Sequence, residues 1–391
     1  MVIALSSEHE PIRPCGDRLR THFLTRGDAG PVGRWFRVDE ATNLAWVQAI
    51  TRGAGYPTAR FKDQIAIGFV KPISGAYIAL TFAPDLSDRA REARIPTVAA
   101  WFVTNDGVHP VAVDIEPDQL GVARLHPKWP VDILQQKNVT VVGTGSIGSA
   151  AAHALALSGV GTLNLVDPDR LLSHNLVRHT SSPRHVGKKK VDALKIEIEA
   201  LRPDTRVVPY PINAITAANR MRELLQSTDI VLCASDGVAS RRTTGHLARR
   251  AGKVAVLACV LEDGALGEIL RLRPWPDHGC LTCRRDELRE RGSIDPEPAL
   301  NLPYGEGTQH RPMTAVGSDL QLVGQHAAKA TVATLLEAAG IPDQRLPGEH
   351  MLLALRPTPD WPTPFDLRRA SEIRWLPATP PKPGCPTCEQ T

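Results

Sequence analysis

The chain has 391 residues, of which 42% are apolar, and its 46 basic and 42 acidic residues give a formal net charge of +4. This length predicts two domains or slightly more, and so small a charge does not indicate nucleic-acid binding. No apolar run approaches the ~20 residues of a membrane span, and the N-terminal run MVIAL is too short for a signal peptide, so we expect a cytoplasmic protein without membrane contact.

The first 125 residues predict an α+β accessory domain without a recognisable ligand motif. RWFRV, DQIAIGFV, GAYIALTF and TVAAWFV are typical of strands, whereas ATNLAWVQAITR is typical of a helix. A polar, proline-bearing stretch follows between residues 114 and 130, which indicates a domain edge. We therefore expect one domain over 1–125 and a second over 126–391.

The second domain shows a regular alternation of apolar strands and helices. The predicted strands lie near 138–142, 162–166, 206–209, 229–233 and 254–259, and the predicted helices lie near 146–158, 187–201, 216–226 and 238–250. EILRLRP, HMLLALRP and EIRWLP are later strands, with a helix from about 320 to 339 between the first two. This alternation predicts an α/β domain of the doubly wound, Rossmann-like kind, with a mainly parallel sheet and helices on both faces.

A glycine pattern follows the first of these strands. Gly143, Gly145 and Gly148 surround the start of a helix at Ser146 and Ile147. Such glycines allow a tight turn and bring a phosphate close to the N–H groups at the helix start. Asp167 ends the next strand, at the distance where an acidic residue accepts hydrogen bonds from ribose. Alone, this pattern most often indicates NAD(P) or FAD.

Five further polar residues change that interpretation, namely Asp169, Asn175, Arg178, Lys190 and Asp236. Together with the glycines and Asp167 they form, in order, a Gly-rich turn, D-x-D, N-L-x-R, G-x-x-K and an aspartate after an apolar strand. From about residue 131 onward the chain therefore resembles the E1-like adenylating family of ubiquitin-activating enzymes and the ThiF and MoeB proteins.

The resemblance implies ATP-dependent adenylation of the C-terminal carboxylate of a ubiquitin-like protein, as the E1 step of a conjugation pathway. Arg178 and Lys190 suit the triphosphate, Asp236 suits Mg²⁺, and Asn175 can bond phosphate without adding charge. The simpler alternatives are a solvated basic loop around Lys190 and a helix-capping role for Asp236. A homodimer and an E2-like partner are expected with this function. Alternative functions are activation of a sulfur-carrier protein or short peptide, as in ThiF and MoeB, and an inactive scaffold.

Two C-x-x-C pairs give a separate indication. Cys280, Cys283, Cys385 and Cys388 suit a tetrahedral Zn²⁺ site, whose four protein ligands leave no position for chemistry. Disulfides and a redox C-x-x-C are the competing interpretations, and a reducing compartment disfavours disulfides. We therefore predict a structural zinc site that ties down the C-terminus.

The sequence departs from the family pattern in two places. Residues 284–312, where such enzymes usually place a thioester-forming cysteine, contain none, so Ser293 and Thr308 are weak candidates for an acyl acceptor. Alternatively, the enzyme stops at the adenylate or a partner supplies the cysteine. The R-x-x-R-Q signature that reaches ATP of the opposite subunit is also missing, and Arg124 or Lys128 is a possible substitute.

Overall fold

The structure is a computed structural model, and it describes residues 2–6, 15–20, 22–23, 32–65, 72, 76–116, 125, 127–261, 264–293 and 315–388. Contacts divide the chain into two compact units, Met1–Leu120 and Gly121–Thr391. Within these described ranges, no helix combines the length and the apolar character needed to cross a membrane.

The first unit is an α+β fold built on one mixed sheet. Its strands are β1 (Val2–Ser6), β2 (Cys15–Arg20), β3 (His22–Phe23), β4 (Val32–Arg37), β5 (Tyr77–Phe82), β6 (Val98–Val103) and β7 (Val108–Glu116), and its helices are α1 (Glu40–Arg52), α2 (Thr58–Gln64) and α3 (Asp88–Glu92). The strand order is β2-β4-β5-β6-β7-β1-β3. The pairs β4–β5 and β1–β7 are parallel, and the other pairs are antiparallel.

Helix α1 has clear signals at both ends. The Asp39 carboxylate accepts a hydrogen bond from the Thr42 N–H, and Gly53 ends the helix in the left-handed conformation. Phe36 and Trp101 are fully buried, and the Trp101 indole N–H donates to the Thr81 hydroxyl. These aromatic residues therefore form part of the core of this unit.

The second unit has the predicted α/β architecture. Its strands are β8 (Asn138–Val142), β9 (Thr162–Val166), β10 (Arg206–Tyr210), β11 (Ile230–Cys233), β12 (Val254–Leu261), β13 (Leu266–Leu272), β14 (His350–Ala354) and β15 (Ile373–Leu376). Its helices are α4 (Val131–Gln135), α5 (Ser146–Leu157), α6 (Lys190–Leu201), α7 (Ala218–Gln226), α8 (Val238–Arg250), α9 (Leu281–Glu290) and α10 (Gly317–Ala338). The strand order is β10-β9-β8-β11-β12-β13-β14-β15.

The first five strands of that order are parallel, and β13, β14 and β15 continue the sheet in antiparallel pairs. The parallel part has the order of a doubly wound nucleotide-binding fold. Side chains alternate between two cores, with Val141 facing α5, α6 and α10 and Val142 facing α7 and α8. The sheet is therefore covered on both faces.

Helix α10 packs on α5 at backbone contact. A Cβ at Gly324 would lie 2.5 Å from the Ile147 carbonyl oxygen and 2.9 Å from the Ala150 Cβ. A larger residue would push the two helices apart. Because α5 begins at the glycine turn, this contact also holds the candidate site in place.

Some element boundaries differ from those predicted. Asp63 and Gln64, which open the predicted strand DQIAIGFV, lie in α2, and residues 66–70 of that strand are outside the described residues. Helix α6 begins at Lys190 instead of 187, since Gly187 has a φ of +92° that no helix accommodates.

Candidate active site

The glycine turn lies where the strand order of the parallel sheet reverses. Strands β8 and β11 are parallel neighbours, with Val142 opposite Cys233, and the residues after them meet at the same edge. Gly143 has a φ of +83°, and a Cβ there would lie 2.7 Å from the Ser235 backbone nitrogen. Only glycine fits this position, and open parallel sheets bind ligands at such a reversal.

The other two glycines have different roles. A Cβ at Gly148 would lie 1.8 Å from the Gly143 carbonyl oxygen, so Gly148 permits close packing of helix against strand. A Cβ at Gly145 would meet no atom within 4 Å. Gly145 is also the N-cap of α5, and no side chain caps this helix. No capping side chain therefore occupies the N–H groups at the helix start, and phosphate binding by Ser146 and Ile147 stays a prediction.

Asp167 holds the turn together. Its two carboxylate oxygens accept hydrogen bonds from the Thr144 N–H at 2.7 Å and the Asp169 N–H at 2.9 Å. Each carboxylate oxygen has a second lone pair, so a ribose hydroxyl can still bond to Asp167. The contact with ribose stays a prediction.

Lys190 begins α6 and forms an ion pair with Asp169. The Lys190 Nζ lies 2.8 Å from an Asp169 carboxylate oxygen, and its backbone N–H donates to the Asp169 carbonyl. The Lys190 side chain is 13% exposed and that of Asp169 is 63% exposed. The Lys190 ammonium group is therefore mostly buried and fixed by Asp169, and Lys190 is not a solvated loop residue.

Asn175 shapes the turn that carries Arg178. Its side-chain oxygen accepts from the Leu172 N–H at 2.9 Å, and its backbone carbonyl accepts from the N–H of Arg178. Across from this turn, a Cβ at Gly317 would lie 2.5 Å from the Val177 carbonyl oxygen, so the start of α10 supports it. Among the described residues, the Arg178 guanidinium has no hydrogen-bond or ion-pair partner, which leaves it available to a ligand.

Asp236 follows β11 and lies just before α8. The N-cap of α8 is Gly237, and no side chain caps the helix, so Asp236 does not have the capping role that was the simpler alternative. The residue keeps an exposed surface.

The charges of the predicted site meet at Asp236. The protein packed around the carboxyl raises the pKa of Asp236, while the positive charges of Arg178, Lys190 and Arg241 oppose that rise and Asp167 adds to it. The net pKa is above the usual value for aspartate. Arg178 and Lys190 lie 12 positions apart in the sequence. Both therefore act on one carboxyl group, that of Asp236, which follows a strand distant from them in the sequence. A perturbed carboxyl of this kind is typical of a functional site.

Two neighbours of the site were not predicted from the sequence. The buried Arg241 donates through Nη1 to the Asp236 carbonyl at 3.3 Å and so supports the turn after β11. The buried His179 contacts the Thr144 carbonyl at 2.8 Å. His179 directly follows Arg178, and this position could have indicated that it lies near the site. Nothing in the local sequence indicated the same for Arg241.

The four cysteines of the C-x-x-C pairs form one buried cluster, with all Sγ atoms within 4.8 Å of one another. The Sγ atoms of Cys280 lie 3.8 Å from Cys283 and 3.6 Å from Cys385, and those of Cys283 and Cys388 are 3.7 Å apart. A zinc ion with Zn–S bonds of ~2.3 Å places its sulfurs about 3.8 Å apart. The four thiolates therefore fit Zn²⁺, and they are too far apart for disulfides.

Helix α9 runs from this cluster into a buried charge network. Arg285 donates two hydrogen bonds to the Glu268 carboxylate, at 2.6 and 2.5 Å, and His350 lies 2.7 Å from the same group. Arg284 donates to the other His350 ring nitrogen at 2.9 Å. Burial by itself raises the pKa of Glu268, but the charge and hydrogen bonds of Arg285, together with His350, hold it well below the usual value.

The candidate acyl acceptors lie differently. Ser293 is buried, and its hydroxyl donates to the Thr363 carbonyl at 2.5 Å, which favours a role in fixing the loop. Thr308 and Arg124 lie outside the described residues. Lys128 is described and exposed.

Comparison with known proteins extends these observations. A sequence model described as the ThiF family matches residues 119–341. The chain is 35% identical over 144 residues to the adenylyltransferase and sulfurtransferase uba4 of Aspergillus clavatus, covering 37% of this chain and 29% of that protein. It is 34% identical over 111 residues to the molybdopterin-synthase adenylyltransferase of Escherichia coli, covering 28% of this chain and 44% of that protein. The chain thus matches less than half the length of either relative.

Among solved structures, one similar chain is that of Escherichia coli MccB crystallised with ATP. It has a TM-score of 0.48 and 19% identity, and the match covers 66% of this chain and 68% of that chain.

Proposed function

Since the chain belongs to the ThiF family, we propose that it is an adenylyltransferase that uses MgATP to activate the C-terminal carboxylate of a small protein. The observation that carries this proposal is the uncapped N-terminus of α5 at the edge where the strand order reverses. The positive charges of Arg178 and Lys190, which act on the Asp236 carboxyl after the neighbouring strand β11, support it. An inactive scaffold has no need of this arrangement.

In this reaction a carboxylate oxygen of the acyl substrate forms a bond to the α-phosphorus of ATP. The bond between that phosphorus and the bridging oxygen breaks, and pyrophosphate leaves with the bonding electrons. The start of α5 binds phosphate, and Arg178 and Lys190 neutralise charge on the phosphoryl oxygens. Lys190 must then exchange its Asp169 partner for phosphate. Asp236 would hold Mg²⁺, which neutralises further phosphate charge when bound.

The finer proposal is that the small protein is ubiquitin-like and that the enzyme is the E1 of a conjugation pathway. The additional unit Met1–Leu120 supports this, because it offers a second folded surface for a substrate or an E2-like protein. The names of the relatives uba4 and molybdopterin-synthase adenylyltransferase support adenylation and favour, as the alternative, a sulfur-carrier protein. A homodimer, a zinc-tied C-terminus and a cytoplasmic location complete the proposal.

Binding and exchange measurements test the proposal. Calorimetry should detect MgATP binding and no comparable binding of NAD⁺. With a small protein that ends in glycine as substrate, the enzyme should exchange labelled pyrophosphate into ATP. Asp236→Ala should abolish exchange while the fold persists, whereas the exposed control Asp360→Ala should exchange normally. NAD⁺ binding without MgATP binding, or normal exchange in Asp236→Ala, contradicts the assignment.

The acceptor chemistry has its own test. Because residues 284–312 contain no cysteine, any covalent adduct between this chain and its substrate should resist thiol reductants and yield to hydroxylamine or strong base. Denaturing gels with and without reductant measure this. An adduct that reductant removes would show a thioester on this chain.

A further inference from the structure

The middle residue of the glycine turn is held from both sides. The Thr144 N–H donates to the Asp167 carboxylate at 2.7 Å, and the Thr144 carbonyl lies 2.8 Å from the Nε2 of His179. Thr144 is fully buried and His179 is 6% exposed. The backbone N–H and the backbone carbonyl of Thr144, which belong to successive peptide groups, therefore both have fixed partners.

The His179 ring has one protonation state that fits these contacts. The Ser181 N–H donates to Nδ1 at 3.1 Å, and a backbone N–H cannot accept a hydrogen bond. Nδ1 must therefore be unprotonated, so the ring proton is on Nε2 and is donated to the Thr144 carbonyl. A second proton on Nδ1 would point at the Ser181 N–H.

The electrostatic environment also favours the neutral ring. The pKa of His179 is lowered to about 4, chiefly by burial; Lys190 and His153 also lower it, whereas the Thr144 carbonyl and Asp167 act in the opposite direction. At neutral pH the ring is therefore a neutral Nε2–H donor.

The direction of the Thr144 carbonyl determines the direction of the next N–H group. In a planar trans peptide, the carbonyl of one residue and the N–H of the next point in opposite directions. When the Thr144 carbonyl faces His179, the Gly145 N–H therefore points away from it. Gly145 is also the turn residue whose missing Cβ leaves open space.

We propose that His179 is a positioning residue for ATP, which through the Thr144 carbonyl orients the Gly145 N–H toward phosphate and joins the glycine turn to the segment that carries Arg178. Because His179 directly follows Arg178 in the chain, one hydrogen bond connects the phosphate-binding turn with the backbone next to Arg178. This inference rests on the proposed function, because it concerns the same nucleotide site.

Two substitutions separate the two ends of the ring. His179→Gln can place an amide N–H near the position of Nε2 and so keep the bond to Thr144. His179→Asn is shorter and can replace only the acceptor for Ser181. A matched control is His326→Gln on α10, since His326 is also partly buried but has no hydrogen-bond partner among the described side chains.

The experiment measures MgATP affinity by calorimetry and the midpoint of thermal unfolding for all four proteins. We expect wild type, His326→Gln and His179→Gln to bind MgATP within about threefold of one another. His179→Asn should bind about tenfold or more weakly, since it leaves a buried carbonyl without a donor. Nitrogen NMR of labelled histidine should find the His179 signal, identified by its loss in His179→Gln, with Nδ1 unprotonated and Nε2 protonated at pH 7.

The outcomes separate this inference from the proposed function. If wild type does not bind MgATP, the proposed function fails and the role of His179 in ATP binding fails with it. If wild type binds MgATP and both His179 variants bind equally well, only the role of His179 is overturned. Equal losses of affinity in both variants, in proportion to lower thermal stability, also overturn it, because the loss would then reflect a less stable fold and not the missing hydrogen bond to Thr144. An Nδ1-protonated ring excludes the hydrogen-bond pattern itself.

Discussion

Substitutions at two glycines of the pattern, Gly145 and Gly148, distinguish an effect on folding from an effect on ATP binding. In Gly148→Ala the new Cβ would lie 1.8 Å from the Gly143 carbonyl oxygen, and a separation under 3.0 Å is essentially never seen for Cβ atoms. Helix and turn would have to separate by roughly 1.2 Å, against backbone and not a flexible side chain. Overpacking typically costs about 1–3 kcal/mol, and this rigid contact places Gly148→Ala at the upper end.

Gly145→Ala makes the same chemical change where there is room for it. No atom lies within 4 Å of the new Cβ, but the ψ of −150° lies outside the regions that alanine prefers. Because alanine is also a poorer N-cap than glycine, the free energy of unfolding should fall by about 1–2 kcal/mol. The methyl group would occupy space next to the start of α5, however, so MgATP should bind at least about tenfold more weakly.

Urea unfolding at pH 7 and calorimetry with MgATP measure the two effects on the same samples. Gly148→Ala should lose both stability and affinity, whereas Gly145→Ala should lose affinity out of proportion to stability. Wild-type affinity in Gly145→Ala would refute the placement of phosphate at this turn. Wild-type stability in Gly148→Ala would refute the close packing of α5 on the turn.

Three further predictions concern the ammonium group, the metal cluster and the buried network. Lys190→Gln should lower the rate of pyrophosphate exchange by at least about 100-fold, because it removes the positive charge that neutralises the phosphoryl oxygens. The control Lys188→Gln changes an exposed neighbour and should alter the rate by less than about twofold. Equal losses in the two variants would contradict a specific role for Lys190. Cys388→Ser should lose zinc, measured by mass spectrometry, and unfold at a lower temperature. The control Cys259→Ser changes a buried cysteine outside the cluster and should keep its zinc. Full zinc content in Cys388→Ser would exclude the four-thiolate site. Glu268→Gln should destabilise the fold at pH 7 by about 3–5 kcal/mol, since it leaves a buried guanidinium without its partner. Because the pKa of Glu268 is held well below its usual value, the stability it adds is complete above about pH 4.3 and is lost as pH falls further, so the difference between wild type and variant in urea unfolding should shrink in acid.

Local patterns were sufficient for much of the second unit. Helices α5, α8 and α10 and strands β8, β9 and β11 lie close to where the apolar periodicity predicts them, because each buries one face or both faces against the same sheet. Where the chain forms its elements around a special backbone conformation, the prediction was less accurate. Gly187 delays α6 to Lys190, and Asp63 lies in a helix although its neighbours are rich in strand-forming residues.

The first unit and the antiparallel end of the sheet were harder to predict. Strand β7, whose apolar residues are interrupted by Pro110 and Asp114, pairs with both β6 and β1. Helix α9 is mostly polar and is held by the cysteine cluster and the buried Arg285. Such elements depend on partners distant in sequence, so local periodicity carries little information about them.

The sequence by itself was enough to recognise the family of this protein, because the glycine spacing and the order of Asp167, Arg178, Lys190 and Asp236 require no structure to be recognised. Tertiary structure alone decided which of these groups meet. The reversal of strand order brings Ser235, which directly precedes Asp236, against Gly143, although 92 positions separate the two residues in the numbering of the chain. Hydrogen bonds and charge interactions act over a few ångströms, so only strand pairing could bring these groups within reach of one another and show that His179 holds the turn between them.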